Sequence, residues 1–274
     1  MTIGDPYSRE AAVSGRSVAL PLRVAPVPYE AGVPALERFR RNWLVSGIGE
    51  AGQARLAAAR VLVVGAGGLG SPVLLYLTAA GVGTIGICDS DVVEVSNLQR
   101  QLLHGEGDVG DPKPDSAVRH LSGLNSSVHF ERFGHVTREW LDEHGRDWDL
   151  IVECTDSFDS KYLVADYCAD SGVPLVWGTV VRMSFQVSVF WSAAPSPVPS
   201  LTLRSLHPVK PAPGTTPASP QVGVLGPVVG QAGTAMATEA IKVLVGFGEP
   251  LIGRVLTVDA ATQRADVLTF APWG

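Results

Sequence analysis

Hydrophobic positions change their period several times along the 274-residue chain, and each change marks an element. From about Pro34 to Ala59 apolar residues recur at helical spacing, whereas Arg60–Val64 is a short apolar run ended by glycine, the pattern of a strand buried on both faces. Gly68–Ala80 returns to helix and Thr84–Cys88 to strand, so the chain opens on a βαβ unit with a right-handed crossover. Pro114–Leu124, Val128–Phe130, Arg138–His144, Leu150–Glu153, Ser157–Ser171 and Pro174–Trp177 continue the alternation. The pattern predicts a three-layer α/β domain whose mainly parallel sheet carries helices on both faces. Ser184–Trp191 alternates like a half-buried strand, Gly223–Leu244 reads as a nearly uncharged helix, and Arg254–Val258 and Asp266–Phe270 read as two strands that extend the sheet. Two stretches lack periodicity. Residues 1–33 are expected to be a flexible or loosely docked extension of a single domain spanning 34–274. Residues 192–220 hold eight of the chain's 20 prolines and are expected to form a long mobile crossover loop.

Composition narrows the function classes. A net charge of −6 and a pI near 5.5 oppose a phosphate-backbone partner, because nucleic-acid affinity rests on clustered Lys and Arg. Cys88, Cys154 and Cys168 are widely spaced and form no Cys-x-x-Cys pair, which argues against a disulfide framework or a zinc site and for the reducing cytoplasm. No basic region followed by an apolar run marks a secretion signal. Residues 61–88 are uncharged and long enough to span a bilayer, but their glycines and Pro72 divide them into strand, turn, helix, turn and strand, so no membrane partner is expected.

The chemistry begins at Val61-Leu-Val-Val-Gly65-Ala-Gly67-Gly68-Leu-Gly70, a strand that runs through a glycine loop into a helix. Gly65 permits a tight turn, Gly67 lets backbone approach a phosphate, Gly70 lets helix pack on strand, and the helix N-terminus attracts negative charge. The domain is therefore Rossmann-like. Asp89, about 20 residues beyond Gly70 at the end of the second strand, is placed to accept hydrogen bonds from a ribose hydroxyl. The same arrangement serves NAD, but the next segment adds cations. In Ser96-Asn97-Leu-Gln-Arg100-Gln101, Asn97 and Arg100 share a face if the segment turns helically, and Lys113 follows at the start of a helix. Two cations suit a triphosphate with a departing pyrophosphate better than a hydride carrier, because in-line phosphorus chemistry is catalysed by charge and position. Asp156, just past Leu150–Glu153, lies at the carboxyl edge of the sheet where α/β proteins bind ligands, and it also suits a helix N-cap.

These motifs, with Asp89-Ser-Asp91, Asp108-Val-Gly, Cys154-Thr-Asp156-Ser157 and Gly223-Val-Leu-Gly-Pro227 in order, make the chain resemble the ThiF/MoeB/HesA family, bacterial relatives of ubiquitin-activating enzymes, from about Arg38 to Phe270. The resemblance implies an adenylyltransferase that uses ATP and Mg²⁺ to activate the C-terminal Gly-Gly carboxylate of a small ubiquitin-like sulfur-carrier protein. It makes Gly65, Gly67, Gly68, Gly70, Asp89, Asp91 and Ser157 nucleotide-site residues. Asn97, Arg100 and Lys113 hold the triphosphate, and Asp156 is the Mg²⁺ ligand. Arg38-Phe-Arg-Arg41 resembles an Arg-x-x-Arg motif whose second arginine reaches into a neighbouring subunit's ATP site, which makes Arg41 an arginine finger and implies a homodimer. Lys161 stands where relatives usually carry an Arg that meets the carrier's tail; it keeps the charge and loses the planar fork.

The chain also departs from the family. Where relatives that transfer sulfur carry two Cys-x-x-Cys pairs and a cysteine before Gly-Val-Leu-Gly-Pro, it has Thr202-Leu-Arg-Ser205, Phe270-Ala-Pro-Trp-Gly274 and Ser219. No structural zinc is expected, and Ser219 cannot readily replace a thiol, since the thiolate is the nucleophile. Adenylation needs no cysteine, and core packing is expected for all three that remain. The pathway served stays open among molybdopterin, thiamin, natural-product sulfur and peptide modification. So do two rival readings, an ATP-binding interaction module without turnover and an NAD(P)-dependent oxidoreductase.

Overall fold

The computed structural model describes residues 17–27, 33–212 and 222–271. Eight strands form one sheet in the order β3-β2-β1-β4-β5-β6-β7-β8. They are β1 (Arg60–Val64), β2 (Thr84–Cys88), β3 (His129–Phe133), β4 (Leu150–Glu153), β5 (Leu175–Val181), β6 (Ser184–Phe190), β7 (Arg254–Asp259) and β8 (Arg264–Thr269). The first five are mutually parallel and the last three add antiparallel, so the sheet is parallel where a nucleotide would sit and antiparallel at one flank. No helix among the described residues is long and apolar enough to cross a membrane.

Helices α1 (Val33–Trp43), α2 (Gly49–Ala58), α3 (Gly70–Ala80), α4 (Lys113–Leu124), α5 (Arg138–His144), α6 (Phe158–Ser171), α7 (Leu203–Leu206) and α8 (Gly226–Val245) cover both faces. The central strands show why. Val61 and Val63 of β1 point into one core with Leu74 and Leu77 of α3, Leu121 of α4 and Met236 and Val243 of α8, while Leu62 and Val64 point into the other with Trp148, Tyr162 and Val164. A strand buried on both faces has no polar side to display, hence the uninterrupted apolar run in its sequence. The helices end where glycine permits a left-handed cap, at Gly81 after α3 (φ +81°), Gly172 after α6 (φ +77°) and Gly246 after α8 (φ +86°).

Parts of both aperiodic stretches are described, and those parts are packed on the domain. Residues 17–27 lie extended along the domain. Val18 and Leu20 are buried in the core beside α8, Leu20 N–H donates to Val243 O at 3.1 Å, and Arg23 N–H donates to Asp149 Oδ1 at 2.7 Å. Residues 1–16 and 28–32 of the expected extension lie outside the described residues. Likewise 192–212, the described start of the expected mobile loop, is fastened to α6. Leu201 and Leu203 are buried, Tyr162 Oη donates to the carbonyls of His207 and Val209 at 3.0 Å each, and Arg204–Asp166 and Lys210–Asp159 ion pairs close the seam. Prolines stiffen an extended chain, and here side chains tie it down. Residues 213–221, with Ser219, lie outside the described residues.

Candidate active site

The glycine loop sits where β1 ends. Gly65 has φ +102°, donates its N–H to Cys88 O at 2.7 Å, and leaves only 2.9 Å between a notional Cβ and the Cys154 carbonyl group. At Gly70 a Cβ would stand 2.0 Å from Gly65 O, so any side chain would break the contact between α3 and β1. Gly68 is held by α8 and by Arg100: a Cβ would lie 2.8 Å from Val229 Cγ1 and 3.5 Å from Arg100 Cγ. Gly67 differs, since a Cβ there meets nothing nearer than Gln101 Nε2 at 3.5 Å. Packing among the described residues does not require a glycine at 67, so the loop backbone there is open to the close approach that a phosphate would need.

Asp89 closes the loop from the β2 side. Its Oδ2 accepts the Ala66 N–H at 2.8 Å and its Oδ1 accepts the Asp91 N–H at 2.9 Å, and each oxygen keeps a lone pair for another donor. Beyond it the chain turns through a 3₁₀ segment, Val95–Asn97. Asn97 is buried and caps this turn, accepting the Glu94 N–H at 3.1 Å. Arg100 lies half-buried over Gly68 and donates only to Ser96 O at 3.1 Å; among the described residues no carboxylate pairs with it. Lys113, at the first position of α4, is 5% exposed and its Nζ lies 2.7 Å from Oδ2 of the exposed Asp91. The site therefore holds one cation without a counter-ion and one whose counter-ion faces solvent.

Past the end of β4, Asp156 is exposed and finds no donor or cation among the described residues. The N-cap role goes to Ser157, whose Oγ accepts the Ser160 N–H at 3.1 Å, so the carboxylate of Asp156 stays free. Asp156 is a hard oxygen donor at the carboxyl edge of the sheet. No group of three or more His, Cys, Asp or Glu that would cage an ion occurs among the described residues. One carboxylate facing phosphate oxygens is the usual way Mg²⁺ is held in nucleotide sites, so the donor set fits that ion.

Lys161 lies beneath this edge and not on its surface. Its side chain is 4% exposed, and its Nζ donates to Oε2 of Glu153 at 2.6 Å and to Gly178 O at 2.7 Å, 5.8 Å from the Trp177 ring centre. Glu153 also accepts the Thr155 N–H at 2.7 Å and the Thr155 hydroxyl. Lys161, expected to meet a carrier's tail, thus forms a buried pair under the 154–156 loop, where its ammonium neutralises the carboxylate. Arg41 is exposed in the last turn of α1 and makes no polar contact among the described residues.

Sequence reasoning passed over His104. Buried, it joins the two halves of the cradle: Nε2 lies 3.0 Å from Ala66 O in the glycine loop, and Nδ1 lies 2.8 Å from Ser116 Oγ in α4. Burial above all holds its pKa below the ordinary histidine value, with Lys113 acting in the same direction. The neutral ring therefore donates from Nε2 to the loop carbonyl. Its one sequence signal is a histidine following Leu102-Leu103. Asp108 anchors the same corner. Burial alone raises its pKa, but hydrogen bonds from the Gly105 N–H, His120, Arg119 and Ser116 outweigh that and hold it well below the carboxylate range. Cys88, Cys154 and Cys168 are buried free thiols whose pKa values burial pushes up, so none is poised as a thiolate.

A ThiF family model matches residues 39–272. The chain belongs to the ThiF family. It is 44% identical over 234 residues to the Probable adenylyltransferase/sulfurtransferase MoeZ of Mycobacterium tuberculosis, an alignment covering 85% of this chain and 59% of that protein. The chain thus spans less than two thirds of that relative. It is 43% identical to the Sulfur carrier protein adenylyltransferase of Thermus thermophilus (85% of this chain, 87% of that one) and 42% identical to the SAMP-activating enzyme E1 of Haloferax volcanii (86% and 85%). Among solved structures, E. coli MccB with MccA-N7isoASN superposes with a TM-score of 0.76 at 22% identity, covering 90% of this chain and 75% of that one, a likeness of fold.

Proposed function

We propose that this chain is a nucleotidyltransferase that adenylates the C-terminal Gly-Gly carboxylate of a small ubiquitin-like sulfur-carrier protein, with ATP and Mg²⁺. The observation that carries the proposal is the sheet edge itself. Asp89, the glycine loop, Arg100, Lys113 and Asp156 stand at the carboxyl ends of β2, β1 and β4, and among the described residues neither Arg100 nor Asp156 has an ion-pair partner. Relatives of 42–44% identity that bear adenylyltransferase or E1 names support the same reading.

In that reaction a carboxylate oxygen attacks the α-phosphorus, the bond to the β-phosphate oxygen breaks, and pyrophosphate leaves carrying the electron pair. The nucleophile is already ionised, so no general base is needed. The protein's work is to hold charge in place. Asp89 takes the ribose, the loop amides and the α3 N-terminus face the phosphates, and Arg100 meets the growing negative charge. Lys113 exchanges the solvent-facing Asp91 for a phosphate oxygen. Asp156 is the residue that would hold Mg²⁺, which when bound would supply positive charge to the departing pyrophosphate. Arg41 serves the site of a second subunit in a homodimer, which gives an exposed, unpartnered arginine its use. The enzyme works in the cytoplasm, and thiols play no part in this half of the chemistry.

ATP–pyrophosphate exchange driven by Gly-Gly-ended carriers tests the proposal. Exchange is expected with a cognate carrier, and Asp156→Ala is expected to lower it on the order of a hundredfold or more without loss of fold. Absence of exchange with every such carrier would overturn the reading.

A further inference from the structure

With Lys161 buried, the edge that faces an incoming carboxylate has lost its expected cation, and the structure offers another. Arg182, in the turn between β5 and β6, has φ +54°, a left-handed conformation that residues with a Cβ rarely adopt. It is exposed, and no hydrogen bond or ion pair reaches its guanidinium among the described residues. Its backbone is clamped: Arg182 N–H donates to Gly223 O at 3.1 Å and Arg182 O accepts the Leu225 N–H at 3.2 Å. The next residue, Gly226, presses against the nucleotide site, where a Cβ would stand 2.3 Å from Gln99 O, beside Arg100. The strained turn is thus tied to the wall of the phosphate cradle.

Position along the sheet edge assigns it a partner. From β2 to β5 the carboxyl ends carry Asp89, the glycine loop, Asp156 and then the Arg182 turn. Gly178–Val181 continue past the last β4 pairing, Glu153 with Trp177, so the turn overhangs that edge by about 13 Å. A nucleotide whose ribose is at β2 and whose phosphates lie over β1 leaves the β5 side for the nucleophile. The geometry points to Arg182 as the residue that holds the carrier's C-terminal carboxylate for attack, and this rests on the carrier-activating reading above. Backbone strain retained at an arginine, where glycine would relieve it, is what a binding role for the guanidinium explains.

Three variants separate strain from charge. Arg182→Gly relieves the φ and removes the cation, Arg182→Ala keeps the strain and removes the cation, and Arg182→Lys keeps strain and charge without the fork. The readouts are ATP–pyrophosphate exchange with a Gly-Gly-ended carrier and the melting temperature. A third is binding of a labelled carrier-tail peptide, as free acid and as C-terminal amide, with α,β-methylene-ATP present. Arg182→Gly and Arg182→Ala are expected to raise KM for the carrier about tenfold or more, leave KM for ATP unchanged, and abolish the preference for acid over amide. Arg182→Lys is expected to fall between them and the parent. The melting temperature of Arg182→Gly is expected to equal or exceed the parent's. An Arg182→Gly protein that keeps the parent's carrier KM and acid preference overturns the assignment while leaving carrier activation standing. A parent protein with neither exchange nor acid preference overturns the carrier reading, and the assignment with it.

Discussion

Replacing Lys161 by methionine removes one charge from a pair that the fold has sealed off. The Lys161 and Glu153 side chains are 4% and 0% exposed, and Nζ and Oε2 lie 2.6 Å apart. Methionine fills the volume but leaves the Glu153 carboxylate buried with only the Thr155 donors and no counter-ion. Breaking a buried pair on one side costs about 3–5 kcal/mol, a large fraction of the roughly 5–15 kcal/mol that holds a domain together. At about 2–4 °C per kcal/mol for a domain of this size, the melting temperature of Lys161→Met is expected to fall by roughly 10 °C. Replacing both partners, Glu153→Gln with Lys161→Met, leaves two neutral groups and is expected to recover most of the loss, a coupling that a double-mutant cycle in calorimetry reads directly. Exchange kinetics supply the contrast: a carrier contact at Lys161 predicts a raised carrier KM and a melting temperature within about 2 °C of the parent, as for a surface substitution. That pattern would refute the structural role argued here.

Other consequences are as direct. His104, buried and held neutral, refuses a proton that the unfolded chain accepts, so its contribution to stability is present above about pH 6.5 and lost as pH falls below it. His104→Gln is expected to flatten the fall in melting temperature between about pH 7.5 and 5.5, leaving the slope due to His207, which burial also depresses. Asp108 has the opposite charge and the same sign: its depressed pKa stabilises the fold above about pH 4 and the benefit is lost as pH drops through the folded value. Asp108→Asn is expected to cost about 1.5–3 kcal/mol near neutrality in denaturant titrations and to weaken the acid dependence. Native protein is expected to leave its three thiols unreacted with a thiol-specific chromophore over minutes, all three appearing in denaturant; rapid labelling of one would contradict their burial. Mixing inactive Arg41→Ala and Asp156→Ala chains is expected to restore about a quarter of parental exchange, since each mixed dimer rebuilds one complete site; no recovery would remove Arg41 from the partner's site.

How legible the molecule was depends on whether its physics is local. Parallel strands buried on both faces must be apolar throughout, so Val61–Val64 and Leu150–Val152 announced themselves, and a glycine whose Cβ would strike Gly65 O leaves no alternative residue at 70. The positions of Asp89 and Asp156 at the sheet's carboxyl edge were legible because such a position is a property of the order of elements. What could not be read was anything decided by a distant partner. Lys161 was expected to meet a carrier's tail, and its burial could not be read because Glu153, which pairs with it, belongs to a different element. The prolines of 192–212 suggested mobility, while Tyr162, Asp159 and Asp166 that restrain the segment sit on α6. In Val18-Ala-Leu20-Pro-Leu22 the alternation of a docked strand-like segment was present but was outweighed by the prolines. The turn at Arg182 contains no glycine to betray its positive φ.

The same division separates the charges that shape the site from those that work in it. Glu153 with Lys161, and Asp108 with Arg119 and His120, are closed on one another, and ligand binding gains nothing by reopening them. Arg100, Asp156, Arg182 and Arg41 are charged side chains of the sequence motifs and the sheet edge that form no ion pair among the described residues. Three of these four are cations, which an acidic chain would place near carboxylates if stability alone were at stake. On the proposed reaction, a tetra-anionic nucleotide and a carboxylate would supply the missing negative charge, and Asp156 would supply a ligand for the accompanying metal. Lys113 sits between the classes: its pairing with a solvent-facing Asp91 holds the ammonium in position without committing it, so phosphate can displace a partner that loses little on returning to water.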